Sequence, residues 1–301
     1  MEATAGRKIF IGISLAVFAT FIWSGNFIVA RAVYQQIPPV SLAFFRWLTA
    51  TIMLLPFSIN LLKSDYPVIR FNFAYLFWTA LSGITLFNTF VYIAGHYTEA
   101  INLALIGTTS SPVFALILAA VFLKERIGLL RVTGMLTCIS GIFYLLSRGS
   151  ISRLLALRFS EGDLWILTAA LCFAIYNTLV KKKPAGLRPV SYLCITFLIG
   201  TILLFPAYVT EAQYTTIQWS MELIGIILYL GLGTSVISFL CWNAAIARLG
   251  SARTALFGNL IPLFSTFEAV LILNEKITWV HLVSGILIIC GLVLANLQTK
   301  I

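Results

Sequence analysis

A chain of 301 residues that is 60% hydrophobic and only 10% charged is not a soluble globule, because soluble domains carry about a quarter charged residues and no interior of this size hides so much apolar surface. The formal net charge of +10 asks for no nucleic-acid partner. The excess sits at the ends of apolar stretches, where basic side chains face anionic lipid headgroups.

Lipid offers backbone amides no partner, so a stretch crossing it folds as a helix that satisfies them internally. Spans of about 20 apolar residues are long enough, and in chain order they are read at about 9–30, 39–62, 72–94, 100–123, 129–147, 164–181, 189–210, 223–247, 254–273 and 278–297. The first five match the last five at a shift of about 150 residues, and an odd-numbered repeat re-enters the membrane upside down. Pro39, Val40 and Ser41 fall on Pro189, Val190 and Ser191, Pro56 on Pro206, and Gly83 on Gly233. Pro112 falls on Pro262, Glu125 on Glu275, Gly141 on Gly291 and, with one slipped residue, Asn26 on Asn177. Pro, Gly and Glu are scarce in apolar stretches, so these coincidences mark duplication rather than composition. The fold class expected is an all-α membrane protein of ten transmembrane helices in two inverted five-helix repeats. Residues 1–147 form the first repeat, 148–163 a periplasmic connection and 164–301 the second repeat.

Basic residues stay cytoplasmic where loops are short. With the N-terminus inside, Arg7, Lys8, Lys63, the run Lys181, Lys182 and Lys183, Arg188, Arg248 and Lys300 all fall on one side, so both termini are expected in the cytoplasm. Arg7 and Lys8 before an apolar run resemble the start of a signal peptide, but this span repeats as the sixth and is expected to be retained. The connection carries Ile151, Leu154, Leu155 and Leu157 among Arg153 and Arg158, the pattern of a short helix lying in the headgroups. Ser160, with Asp163 three residues on, is placed to cap the next helix. All five cysteines fall inside spans, so no extracellular disulfide framework is expected.

Two inverted halves around one midplane site can expose it alternately to each side, which is the architecture of a transporter. The polar and helix-breaking residues at that depth are therefore candidates for substrate contact. Span 4 has Thr108, Thr109, Ser110 and Ser111 before Pro112, and span 9 has Asn259 before Pro262, where proline frees carbonyls of the preceding turn. Spans 3 and 8 offer Thr85, Asn88 and Tyr92 against Ser235, Ser238 and Trp242, and spans 1 and 6 offer Trp23 and Asn26 against Tyr176 and Asn177. Any one of these hydroxyls can instead bond back to its own helix, and an intramembrane Asn commonly bonds a neighbouring helix. Taken as pairs, Asn26 and Asn177 with their aromatic neighbours have the make-up of two gates. Away from the span ends, only Arg46 in span 2 and Glu268 in span 9 are charged, and charge inside the membrane is costly and tends to be functional. Their similar depth suggests an ion pair or a proton-sensing couple. Glu125 and Glu275, at span ends, read as structural.

Enzymatic signatures are missing: there is no phosphate-cradling glycine loop ending in Lys-Ser or Lys-Thr, no His-Glu-x-x-His and no paired aspartate motif for magnesium. No cofactor or metal is expected. The spacing then resembles a known family. Trp23-Ser24-Gly25-Asn26-Phe27, Phe45-Arg46, the stretch Ala100 to Pro112, Leu123-Lys124-Glu125-Arg126 and Gly134 with Gly141 are answered by Ala252 to Pro262, Leu273-Asn274-Glu275-Lys276, Ser284 and Gly291. Together they resemble the EamA group of the drug/metabolite transporter superfamily over about residues 9 to 298. That resemblance implies a helical basket in a bacterial inner membrane, a cavity lined by spans 1, 3, 4, 6, 8 and 9, and export of amino acids or similar small metabolites by alternating access. A membrane-embedded enzyme for a lipid-linked substrate and a nucleotide-sugar transporter are the rival readings, and the latter is disfavoured by the lack of a basic residue read into the cavity. The small-residue seam on spans 5 and 10 is either internal or between protomers, leaving monomer and homodimer open.

Overall fold

The computed structural model describes residues 2–122, 129–150, 152, 160–180, 182–249, 254, 257–258 and 260–296. Among the described residues the chain is helical throughout, without strands. The helices are α1 (Glu2–Ala32), α2 (Pro39–Phe71), α3 (Phe73–Gly95), α4 (Ala100–Phe122), α5 (Leu129–Leu146), α6 (Glu161–Val180) and α7 (Pro189–Tyr214). Then follow α8, built without a break from Met221–Leu228, Tyr229–Ile237 and Ser238–Leu249, α9 (Leu260–Leu273) and α10 (Trp279–Asn296). Six of these (α1, α2, α3, α6, α7 and α8) are long and apolar enough to cross a membrane by length and composition, and shorter apolar helices accompany them in α5, α9 and α10. Side chains such as Phe57, Phe205 and Ile286 are exposed at 79%, 53% and 63%, which suits a surface bathed in lipid rather than water. Apart from Ser152, the amphipathic stretch expected at 151–158 lies outside the described residues, as do the residues around Glu125.

Helix ends follow local chemistry. α2 and α7 each open on a proline after an extended residue, Pro38 and Arg188, and proline suits this position because the first amides of a helix lack internal partners anyway. The expected end of α2 near residue 62 is too early: the helix runs through Lys63 and Asp65 and stops at Asn72, whose side-chain amide donates to the Val68 carbonyl at 2.9 Å. Charge ends a membrane crossing but not a helix. α6 starts with the expected box, the Asp163 amide donating to Ser160 Oγ at 3.1 Å and the Ser160 amide to Asp163 Oδ2 at 3.0 Å.

The two halves are sewn together along two antiparallel seams. In the first, α2 lies against α7, with Trp47 on Phe197 (centroids 4.8 Å apart) and Thr51 Oγ1 3.3 Å from Thr201 Oγ1, so residues at matching repeat positions face each other at the middle. At one end the Glu211 carboxylate of α7 accepts from the Val40 and Ser41 amides of α2 at 3.1 and 2.6 Å. At the other, Arg188 at the start of α7 grips Asp65 of α2, with Nη2 to Oδ1 at 2.7 Å. Each helix therefore carries near its end an acid that holds the start of the other.

In the second seam α5 packs on α10. A Cβ on Gly141 would stand 3.0 Å from the Ser284 carbonyl oxygen, and one on Gly291 2.6 Å from both the Cys138 nitrogen and the Gly134 carbonyl oxygen. The small-residue stripe is thus an internal seam. Near the end of α3, Arg31 Nη1 donates to the Gly95 carbonyl at 3.1 Å and its guanidinium lies over the Tyr34 ring, which meets His96 edge-on. Burial holds the His96 imidazole below its ordinary pKa of 6.5; the carboxylate of Glu211 opposes this and the charge of Arg31 adds to it.

Candidate functional site

Four helices converge on Arg46. The side chain leaves α2 and is only 4% exposed. Its Nη1 donates to Asn26 Oδ1 of α1 at 2.5 Å, to Asn88 Oδ1 of α3 at 2.7 Å and to Tyr92 Oη of α3 at 2.9 Å. Its Nε donates to Ser235 Oγ of α8 at 3.0 Å, and Tyr92 Oη in turn donates to Asn26 Oδ1 at 3.0 Å. The guanidinium also rests over the ring of its neighbour Trp47, 4.7 Å from the centroid. These partners are all buried, Asn26 at 6% being the most exposed of them.

The local backbone explains how Ser235 gets there. In α8 the stretch Tyr229–Ile237 is a π-helix, and its repeat counterpart in α3, Leu81–Leu86, is a π-helix too. A wide turn of this kind accommodates an extra residue and turns everything beyond it by about 100° relative to an α-helix. Ser235 Oγ donates to the Leu230 carbonyl five residues back at 2.9 Å, a reach that the wide turn creates, and so presents its lone pair to Arg46. Ser238 spends its hydroxyl in the same way, on Gly233 at 3.0 Å. Gly231 lets this stretch lie against α2: a Cβ there would meet Thr49 at 2.5 Å and the Arg46 carbonyl oxygen at 3.1 Å.

A buried cation is costly unless paired, yet among the described residues no carboxylate comes within ion-pair distance of Arg46. The expected approach to Glu268 is not made. Arg46 and Glu268 share a depth, since both reach α1 within two residues of each other, but they lie on different faces of it. Ser24, bonded to Glu268 Oε1 at 2.7 Å, and Asn26, bonded to Arg46, point about 200° apart around the helix. Tyr229 lies within electrostatic reach of both charges, and its Oη donates to the Ile22 carbonyl at 2.5 Å, over Gly25, where any Cβ would come within 2.2 Å of that oxygen. Nothing in the sequence pattern singled out Tyr229.

The structure distributes the other candidates as follows. Trp23 donates from Nε1 to the Thr234 carbonyl at 2.9 Å and packs on Trp242, 5.1 Å between centroids, so these two meet beside the cluster. Tyr176 lies on Gly83 of the α3 π-helix and beside Phe173, away from Arg46, and Asn177 is half-buried on the same helix. Thr109 returns its hydroxyl to the Leu105 carbonyl, whereas buried Ser110 Oγ has no partner among the described residues. Asn259 lies outside the described residues. Of the sequence candidates, then, Asn26, Asn88, Tyr92 and Ser235 are gathered around a basic residue that had been assigned a different partner. Lack of a basic residue in the polar centre, held against anionic substrates, is corrected by Arg46 itself. Chemically, a guanidinium in low dielectric, held by neutral oxygens and not neutralised by an acid, is an anchor for an anion.

At full length the chain is similar to an uncharacterized transporter of Archaeoglobus fulgidus, 26% identical over 94% of this chain and 96% of that one. It is also similar to a Salmonella typhimurium protein named probable amino-acid metabolite efflux pump, 25% identical over 92% of each. A crystal structure superposes over 96% of both chains with a TM-score of 0.63 at 17% identity, a likeness of fold alone. Profiles of the EamA-like transporter family match residues 10–147 and again 160–297. Two copies of one profile, over nearly the whole length of a chain of apolar helices, make this protein a multi-pass membrane transporter that belongs to the EamA-like transporter family.

Proposed function

We propose that this transporter exports amino acids or closely related small metabolites across a bacterial inner membrane by alternating access. The single observation that carries the substrate class is the state of Arg46. Its Nε and Nη1 are held by Asn26, Asn88, Tyr92 and Ser235, and no described residue receives a bond from Nη2. The carboxylate of an amino acid is the missing counter-ion, docking on Nη2 when the helices part. Trp23 and Trp242, packed together at a tilt, form an apolar wall for its side chain. Thr109, Ser110, Tyr176, Asn177 and Ser238 complete the pathway on the α4, α6 and α8 side, and Asn259 is assigned to it from the sequence alone. A relative named as an amino-acid metabolite efflux pump agrees with this class.

In this reading the chain crosses ten times, the two repeats lie inverted, and both termini are cytoplasmic because the basic residues gather on that side. With every side chain of the Arg46 cluster buried, the conformation described is closed at that depth. The test is counterflow: purified protein in liposomes preloaded with unlabelled amino acid takes up the labelled compound without changing it chemically. Wild-type protein that exchanges none of a panel of neutral, aromatic and acidic amino acids overturns the reading.

A further inference from the structure

The second intramembrane charge, Glu268, has a hydrogen count that does not close if it is ionised. Ser24 Oγ stands 2.7 Å from Glu268 Oε1 and 2.5 Å from the Phe21 carbonyl oxygen. Both are acceptors, and a serine hydroxyl has one hydrogen. The conflict disappears if the carboxyl carries a proton on Oε1: that O–H donates to Ser24 Oγ, and Ser24 donates its own hydrogen to Phe21. The remaining oxygen, Oε2, is buried without a partner, on a residue 9% exposed. A carboxylate oxygen in that position bears full desolvation, a carbonyl oxygen of a neutral acid far less.

Among the described residues, the neighbours offer no compensating cation. α9 packs on α1 and α4. α4 brings no titratable side chain, and the charged residues of α1, namely Glu2, Arg7, Lys8 and Arg31, lie toward its two ends. Ser265, one turn before Glu268, gives its hydrogen to the Ser24 carbonyl at 3.0 Å and leaves none for the acid. From α8 comes Tyr229, which lies within reach of both Glu268 and Arg46 but donates its hydrogen to Ile22. Arg46 itself is on the other face of α1 and committed to its four partners.

We infer that Glu268 is a proton-binding site, occupied in this closed conformation, that exchanges its proton with water on one side of the membrane during the transport cycle. Release turns the carboxyl into a carboxylate, the proton passes to water entering beside α9, and the Ser24 hydrogen swings from Phe21 to Glu268. That swing occurs on α1 two residues from Asn26, which holds Arg46, so proton release on one face of α1 is transmitted to the anion anchor on the other. The coupling part of this inference rests on the transport reading above, and the proton site itself does not.

Infrared difference spectra of the purified full-length protein, recorded on a shift of pH, test the site without any substrate. Wild-type protein is expected to show the carbonyl stretch of a buried protonated carboxyl, shifted in heavy water and lost in Glu268→Gln, whereas Ser24→Ala retains it at a displaced frequency. A wild-type spectrum with no such band, or a band that survives Glu268→Gln, overturns the proposal. In liposomes an imposed pH gradient drives accumulation of a counterflow-competent amino acid by the wild type, and Glu268→Gln loses that drive. Counterflow in the wild type without any response to the gradient overturns coupling at Glu268. A band that is present in a protein exchanging no amino acid supports the proton site and removes only the substrate class.

Discussion

Arg46 on α2 and Thr196 on α7 hold matching places in the two repeats, and their surroundings differ in kind. Around Arg46, three helices send in amide and hydroxyl oxygens, and the charge they hold is not neutralised. Around Thr196 the polar atoms are spent on backbone carbonyls: its hydroxyl returns to Tyr192 at 2.8 Å, Ser238 bonds Gly233 within its own helix, and Thr85 reaches across from α3 to the Gly200 carbonyl. Where the first repeat has Asn26, the second has Tyr176, pressed onto Gly83. One half holds a chemical anchor and the other a packed plug. The duplicated scaffold therefore carries an unneutralised buried cation in one copy and none at the matching position of the other.

The comparison breaks if the two positions respond alike to mutation. Arg46→Gln removes a charge-assisted donor shared by several buried acceptors, a loss of about 3 kcal/mol, so kcat/KM for counterflow is expected to fall on the order of a hundredfold. Thr196→Val, removing only a hydroxyl bonded within its own helix, is expected to stay within about twofold of wild type. Equal losses would show that depth, not chemistry, matters at this site.

The π-helices sharpen the same contrast in stability. A Cβ on Gly83 would stand 2.1 Å from the Tyr176 ring, against 3.3 Å between a Cβ on Gly233 and Tyr229. Gly83→Ala is expected to cost about 1–3 kcal/mol as overpacking and Gly233→Ala clearly less, read as melting temperature in detergent. Glu275 accepts from the Ala100 and Ile101 amides at 2.8 and 3.1 Å and so caps α4. Glu275→Gln is expected to cost about 1 kcal/mol, in line with other helix caps.

The smallest effect is at His96. Because its folded pKa lies below 6.5, the unfolded chain takes up the proton first, and stability falls as pH drops below 6.5. His96→Gln is expected to flatten that decline in a melting series, and an unchanged slope would assign it to other groups.

Much of the scaffold was legible because it is written in periodic apolar stretches, prolines and glycines, and most observed helices start and stop within a few residues of the expected spans; the departures are α1, which begins at Glu2 rather than near residue 9, α2, which runs on past Asp65, and α9, which begins at Leu260 rather than near 254. The residues gathered around Arg46 were legible as candidates, since Asn26, Asn88, Tyr92 and Ser235 stand out as polar residues in apolar spans. Their arrangement was not. Counting along a span gives depth, and Arg46 and Glu268 do reach α1 within two residues of each other. It does not give azimuth, which is set by packing, and α1 stands between the two. The π-turn rotated Ser235 toward Arg46, and the only traces of it in the sequence are the glycines at 83, 231 and 233. Ser24, which decides the state of Glu268, was present in the Trp23-Ser24-Gly25-Asn26 motif without a stated role.

The exchanged acids of the α2 and α7 seam have a consequence for biogenesis. Val40 waits for Glu211, 171 residues further along, and Asp65 waits for Arg188. While the ribosome is still making the second repeat, the first is already in the bilayer with its longest helix unfastened at one end and an acid unmatched at the other. Each half supplies one partner of both end contacts, so the clasp is complete only once both repeats are present.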